Sequence, residues 1–83
     1  MLNMALFQDS GQSPERRDEE ATEIARKLRD WLAEDPQQIE LFDSRSSVFL
    51  TDMLSRLQRF GSLKYVNPKM LYWLRDLKAK AEI

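Results

Sequence analysis

The chain of 83 residues is long enough for one small domain, in which most apolar side chains must share a single core. It contains no cysteine and no histidine, which excludes disulfides, thiolate metal sites and histidine-based catalysis. The net charge is −1, but residues 1–43 carry 5 basic and 11 acidic side chains, whereas residues 44–83 carry 8 and 3. The sequence is therefore electrically asymmetric, with an acidic first half and a basic second half.

Residues 1–12 begin with the apolar stretch MLNMALF, which has no basic residue and no small-residue cleavage site. These features argue against a secretory signal peptide, and no stretch approaches the roughly 20 apolar residues of a membrane span. The segment is predicted to be a short helix or strand that packs on the rest of the chain, or else a flexible tail. We expect a cytoplasmic protein with a single domain, residues 1–83.

The first helix is predicted over residues 14–34. Ser13 can cap its N-terminus, and Pro14 fits the first helical position. Apolar side chains then recur at steps of three and four residues, at Ala21, Ile24, Ala25, Leu28, Trp31 and Leu32. The pair Asp35-Pro36 ends this helix, because the residue before a proline avoids helical backbone angles.

Two further amphipathic helices are predicted in the second half. One starts near Asp43 or Ser44, ends before Gly61, and has an apolar face made of Phe49, Leu50, Met53, Leu54, Leu57 and Phe60. The other starts at Asn67-Pro68, and its apolar face is made of Met70, Leu71, Trp73, Leu74, Leu77 and Ala81. Between them, only residues 63–66 have the composition of a short extended piece. The sequence thus predicts an all-α fold, a small three-helix bundle in which the second and third helices form an antiparallel hairpin and the first crosses them.

Signatures of catalysis and metal binding are missing from the sequence. Ser46 and Ser47 have no histidine to serve as a base, and no glycine-rich phosphate loop occurs. Four carboxylates lie close together in the first helix, namely Asp18, Glu19, Glu20 and Glu23. Adjacent positions on a helix point in different directions, so we expect a solvated acidic face and no metal site. The sequence predicts a protein that is not an enzyme and has no cofactor.

Basic and aromatic side chains are interspersed in the second half, which is the composition of a nucleic-acid-binding surface. The candidate residues are Arg56, Arg59, Lys64, Tyr65, Lys69, Arg75 and Lys78. A pI near 5.4 is low for such a protein, and the connector of about six residues is longer than the turn of a helix-turn-helix. Direct nucleic-acid binding is therefore the alternative function, and a structural homo-oligomer such as a homodimer is a third.

Residues 38–42, QIELF, resemble the short peptide by which many bacterial DNA-replication and repair proteins dock on the sliding clamp. Gln38, Leu41 and Phe42 match its glutamine, leucine and phenylalanine. Ile39 and Glu40 depart mildly from the usual leucine and from serine or aspartate. The resemblance implies that Gln38 orients the peptide by hydrogen bonds while Leu41 and Phe42 fill an apolar pocket of the clamp. The alternative is a bend between helices, whose apolar residues belong to the core of the protein itself.

Residues 48–77 resemble a helical hairpin that is common in small phage and prophage replication-region proteins. In that hairpin one helix ends in basic residues and glycine, and the next contains lysine, glutamine, tryptophan and leucine at set positions. Lys69, Trp73 and Leu74 match, whereas Met70 stands where glutamine is usual. Together the two resemblances imply an interaction protein of a bacterium, phage or mobile element. It would bind a protein partner in DNA metabolism or host–phage conflict, with the sliding clamp as the candidate.

Overall fold

The computed structural model describes residues 13–83 as three α-helices and one short 3-10 helix, with no strand in that range. Helix α1 is Pro14–Glu34, the 3-10 helix is Pro36–Leu41, α2 is Ser44–Phe60 and α3 is Pro68–Ala81. The predicted all-α fold is confirmed, and α1 has the predicted bounds. The predictions made for the segment MLNMALF concern residues that lie outside the described range.

Three of these four helices begin with a capping residue followed by proline. Ser13 caps α1, Asn67 caps α3 and Asp35 caps the 3-10 helix. In each case a side-chain oxygen accepts a hydrogen bond from a backbone N–H two or three positions further on. The sequence predicts only that Asp35-Pro36 ends α1. In the structure the same pair also starts the 3-10 helix. A capping residue followed by proline acts within the first turn, so it can start a helix of any length.

Helix α1 lies against both other α-helices and packs most closely on α3. It is antiparallel to α2, since Arg26 near its middle donates to the Gly61 carbonyl at 3.2 Å and Trp31 near its end meets Phe42. Helices α2 and α3 are also antiparallel, because Lys80 at the end of α3 is near the α2 cap Asp43, and Arg56 lines the same groove as Lys69 at the start of α3. Helices α1 and α3 therefore point the same way. The core contains residues from all three helices and both connections: Ala21, Ile24, Ala25, Leu28, Phe42, Leu50, Met53, Leu57, Leu63, Val66, Leu71, Leu74 and Leu77.

The connector between α2 and α3, residues 61–67, is attached to α1 through its backbone. The N–H of Leu63 donates to Thr22 Oγ1 at 2.9 Å, and the N–H of Val66 donates to the Asp18 carboxylate at 2.9 Å. The side chains of Leu63 and Val66 are buried, so these N–H groups need partners within the protein. The residues predicted to be extended are therefore not a strand, because their N–H groups bind side chains of α1.

Tyr65 lies in this connector with its backbone in the left-handed region, at φ 58°. The residue is 95% exposed, while its N–H donates to the Asp18 carboxylate at 3.3 Å. The left-handed conformation costs a residue other than glycine about 1–2 kcal/mol, and burial of the ring does not offset that cost. The attachments of the neighbouring residues to α1 hold Tyr65 in this conformation.

The apolar face of α2 is buried along most of the helix but not at every predicted position. Leu54 is only partly buried, and Phe60 is 69% exposed. Gly61 ends the helix as predicted, with φ 79°, so the chain turns away directly after Phe60. The ring of Phe60 lies 5.7 Å from the guanidinium of Arg59 instead of in the core. The prediction that Phe60 belongs to the buried face is therefore wrong.

Candidate protein-binding groove

A groove of about 530 Å³ runs between α2 and α3, and no residue of α1 lines it. Phe49, Met53, Met70 and Trp73 form its apolar floor, and Arg45, Asp52, Arg56, Asn67 and Lys69 form its polar edge. We call this surface the α2–α3 groove. The backbones of α2 and α3 have fewer close approaches to each other than either has to α1. A neighbouring hollow of about 380 Å³ shares part of this floor and extends the apolar surface to Val48, which is 70% exposed.

The floor of the groove is dominated by two aromatic rings, one from each helix. Phe49 and Trp73 are stacked, with ring centroids 4.1 Å apart and an interplanar angle of 5°. Both side chains are only half-buried. Trp73 Nε1 donates to Ser46 Oγ at 3.1 Å, which satisfies the indole N–H inside the bundle. The stack and this hydrogen bond together fix the orientation of Trp73.

Ser46 also connects the aromatic stack to the start of α2. Its backbone N–H donates at 2.8 Å to Asp43, the N-cap of the helix. This bond, followed by a hydrogen bond from the Ser46 hydroxyl, holds the pKa of Asp43 below its ordinary value, with smaller contributions from Lys80 and Arg45. Because the Ser46 hydroxyl donates to the ionised carboxylate, its oxygen is left to accept from Trp73.

Arg45 and Lys69 place positive charge at the two ends of the groove. Each is the second residue of its helix, where the helix dipole favours acidic side chains over basic ones. Within residues 13–83 neither of them forms a salt bridge. The third cation, Arg56, is paired with Asp52 at 3.1 Å. The groove thus combines an apolar floor with a cation at each end that forms no salt bridge, although the Asp43 carboxylate is near enough to Arg45 to interact with it electrostatically.

The structure divides the residues of the clamp-like peptide between surface and core. Phe42 is 8% exposed, and its ring centroid lies 5.7 Å from that of Trp31. Gln38 donates from its side chain to the Trp31 carbonyl at 2.8 Å, and Ile39 is partly buried. Leu41 is 66% exposed. For a clamp to bind both apolar anchors, the ring of Phe42 has to leave the core.

The residues predicted for nucleic-acid binding are distributed over separate parts of the surface. Arg56 and Lys69 are brought together at one end of the α2–α3 groove. Arg75 is on the side facing α1, where it forms a bidentate ion pair with Glu20 at 2.6 and 2.7 Å. The others lie in the connector, at the end of α2 and beside Arg75: Lys64, Tyr65, Arg59 and Lys78.

The acidic residues of α1 have more specific roles than the expected solvated face. Asp18 holds the connector, and Glu20 pairs with Arg75, while Glu19 and Glu23 are exposed. The partners of Asp18 and Glu20 lie 48 and 55 positions away in the sequence, so no local pattern indicates them. Among residues 13–83, no group of three or more carboxylates is arranged to hold a metal ion.

Sequence patterns indicate some of the groove residues and miss others. Periodicity predicts core positions for Phe49 and Trp73, but both residues are only partly buried. In the sequence, Ser46 is notable only as a nucleophile without a base, and no motif identifies Arg45 as a binding residue. The available signal for Arg45 is its position, a cation just after the cap Asp43, where an acidic residue is more usual.

Comparisons with protein-family models, with curated proteins and with solved structures found no match to this chain. Nor does any helix within residues 13–83 have the length and apolar character needed to cross a bilayer. The candidate site therefore rests on the geometry and charge of the α2–α3 groove.

Proposed function

We propose that the chain is a non-enzymatic interaction module that binds a protein partner through the α2–α3 groove. The observation that carries this proposal is the stack of Phe49 on Trp73, two partly buried rings that line the groove. Ser46 fixes the orientation of Trp73 by accepting a hydrogen bond from its indole N–H. Rigid aromatic side chains at a surface supply contact area at little entropic cost, and Trp is enriched among residues that dominate binding energies. Met70, beside the stack, adds an apolar side chain that adapts to different shapes.

The proposed setting is DNA metabolism, or host–phage conflict, in a bacterium, phage or mobile element. Its support is the resemblance of residues 48–77 to the hairpin of phage replication-region proteins. Two of the matching positions, Lys69 and Trp73, line the groove. The resemblance therefore coincides with the surface to which we assign binding.

The test compares the proteins that groove variants capture from a bacterial lysate with those captured by wild type. Trp73→Ala removes half of the aromatic stack, and Phe60→Ala is the matched control, an exposed aromatic residue of α2 that does not line the groove. We expect mass spectrometry to identify a protein that wild type and Phe60→Ala retain and Trp73→Ala loses. Circular dichroism verifies that each variant is folded. If all three capture the same proteins, the groove is not the binding site.

The sliding clamp is the candidate partner for a second surface, residues 38–42. Its support is the order of residues in QIELF together with the exposure of Leu41. Leu41→Ala should weaken binding to a purified bacterial clamp without changing the melting temperature. A wild-type chain that does not bind the clamp at all contradicts this candidate.

A nucleic acid is the alternative partner, favoured by the position of Arg56 and Lys69 beside stacked aromatic rings. Binding would then weaken steeply with salt, with a log–log slope of about −0.9 for each phosphate neutralised on duplex DNA. The groove holds few cations and the net charge is −1, so a protein partner fits better. Absence of any mobility shift with duplex or single-stranded DNA, at low salt and micromolar protein, removes this alternative.

A further inference from the structure

Resting on the proposed function, we infer that the occupant of the α2–α3 groove is an acidic amphipathic helix. Its apolar face lies on the Phe49–Trp73 stack, and its carboxylates meet Arg45 and Lys69.

Charge complementarity indicates an acidic ligand. Arg45 and Lys69 occupy helix positions at which an acidic residue stabilises the helix and a basic one does not. Neither forms a salt bridge within residues 13–83, although Arg45 lies near enough to Asp43 to contribute to lowering the pKa of that carboxyl. Both therefore remain available to carboxylates of a ligand, and complementary charge gives such an interface its specificity and fast association.

The dimensions of the groove indicate a short helix. Arg45 and Arg56 are eleven positions apart on α2, which corresponds to about 16 Å along the helix axis. A ligand helix of about 11 residues, or three turns, has the same length. Laid between two antiparallel helices, it would pack as a further helix of the bundle, with leucine or aromatic side chains at helical spacing in contact with Met70 and Trp73. Its acidic residues are then needed near both ends.

A second copy of the chain does not supply such a helix from its described residues. The acidic helix is α1, but its apolar face is buried against α2 and α3, at Ile24, Ala25 and Leu28. To serve as the ligand, α1 would have to leave its own bundle. The expected partner is therefore a different protein.

The test is a selection from a displayed library of random peptides, each somewhat longer than the three turns of the groove. Wild type is the target, and Trp73→Ala and the double variant Arg45→Glu/Lys69→Glu are screened in parallel. Glutamate is favourable at both helix starts, so the double variant should remain folded even if Trp73→Ala does not. The matched control is Arg16→Glu/Lys27→Glu, which makes the same charge change at exposed positions of α1.

Peptides selected on wild type should be acidic, with apolar residues three and four positions apart, and should become helical on binding. Measured by fluorescence anisotropy, their dissociation constants should rise at least about tenfold for Arg45→Glu/Lys69→Glu. For the control Arg16→Glu/Lys27→Glu they should stay within about twofold, apart from a general effect of net charge that added salt removes.

The outcomes separate failure of this inference from failure of the proposed function. Some peptides could bind folded Trp73→Ala and the Arg45→Glu/Lys69→Glu variant as tightly as they bind wild type. Such peptides bind outside the groove, and they overturn both the inference and the proposed function. The absence of any enriched peptide also overturns both. Groove-dependent peptides that are neutral, basic or not helical overturn the inference alone. Oligothymidylate that competes for the groove more tightly than the best peptide identifies a nucleic acid as the occupant. Self-association that Arg45→Glu/Lys69→Glu abolishes in light scattering identifies a second copy.

Discussion

Phe42→Ala is expected to lower the free energy of unfolding by about 3 kcal/mol, and Leu41→Ala by less than about 0.5 kcal/mol. Phe42 is 8% exposed and its ring centroid lies 5.7 Å from that of Trp31, so truncation removes core contacts and an aromatic pair. Phe→Ala substitutions in cores cost about 3–5 kcal/mol. The lower end applies here because Trp31 is itself half-buried and can close over part of the space. Leu41 is 66% exposed and loses little burial.

The two changes in the free energy of unfolding are measured by urea denaturation monitored by circular dichroism, and the melting temperatures by heating with the same signal. In a chain of this size about 1 kcal/mol shifts the melting temperature by roughly 4–8 °C, so Phe42→Ala should melt roughly 12–24 °C below wild type. Leu41→Ala should stay within about 4 °C of wild type. If the two substitutions cost the same, or if Phe42→Ala is as stable as wild type, the placement of Phe42 in the core is refuted.

The same free energy determines how well the chain can dock on a sliding clamp through QIELF. If Phe42 has to leave the core to bind, docking is weakened by about 3 kcal/mol, or about 150-fold, relative to a free peptide of residues 36–43. Titrations of a purified bacterial clamp with this peptide and with the intact chain measure that ratio. Equal affinities would refute the reasoning, since Phe42 would then reach the clamp at no cost.

Leu50→Ala should lower the free energy of unfolding, measured by urea denaturation, by about 2–5 kcal/mol because the side chain is fully buried. Leu54→Ala should lower it clearly less because Leu54 is only partly buried. Equal losses for the two variants would contradict this difference in burial. The pKa of Asp43 is lowered by the hydrogen bonds from Ser46, so its stabilisation is present at neutral pH and is lost as the pH falls through the lowered pKa. Asn at position 43 still offers a capping oxygen but does not titrate, so the melting temperature of Asp43→Asn should fall less on acidification than that of wild type. Identical dependences of the melting temperature on pH would contradict the stabilising role of the ionised Asp43. Tyr65→Gly should keep or raise the melting temperature, because glycine adopts the left-handed conformation freely and the lost ring is exposed; a drop of several degrees would mean that the ring has stabilising contacts.

The bounds of the α-helices, apart from the end of α3, are predictable because the signals that set them act within one turn. The cap–proline pairs at Ser13 and Asn67 start α1 and α3, and Gly61 ends α2, each through the conformation or hydrogen bonds of adjacent residues. The 3-10 helix is not predictable in the same way, because six residues are too few to show a period. Its cap–proline pair, Asp35-Pro36, equally indicates the end of the preceding helix.

The groove is less predictable because periodicity indicates the direction of a side chain but not how deeply it is covered. Phe49 and Trp73 both lie on the inward faces of their helices, as the pattern predicts. They are only partly buried, because no residue of α1 reaches the groove to cover them. The pairing of Asp18 with the connector is equally invisible to local patterns, because its partner Val66 lies 48 positions away.

The attachment of the connector to α1 turns two backbone amide protons into reporters of the whole bundle. The N–H groups of Leu63 and Val66 donate to side chains of Thr22 and Asp18, and not to the backbone of their own region. Local fraying of α2 or α3 leaves those bonds in place, whereas release of α1 breaks both at once. In hydrogen-exchange measurements the two protons should therefore be protected as strongly as the central amides of α1. If they exchange early while the amides of α2 stay protected, α1 separates from the hairpin before the hairpin itself unfolds.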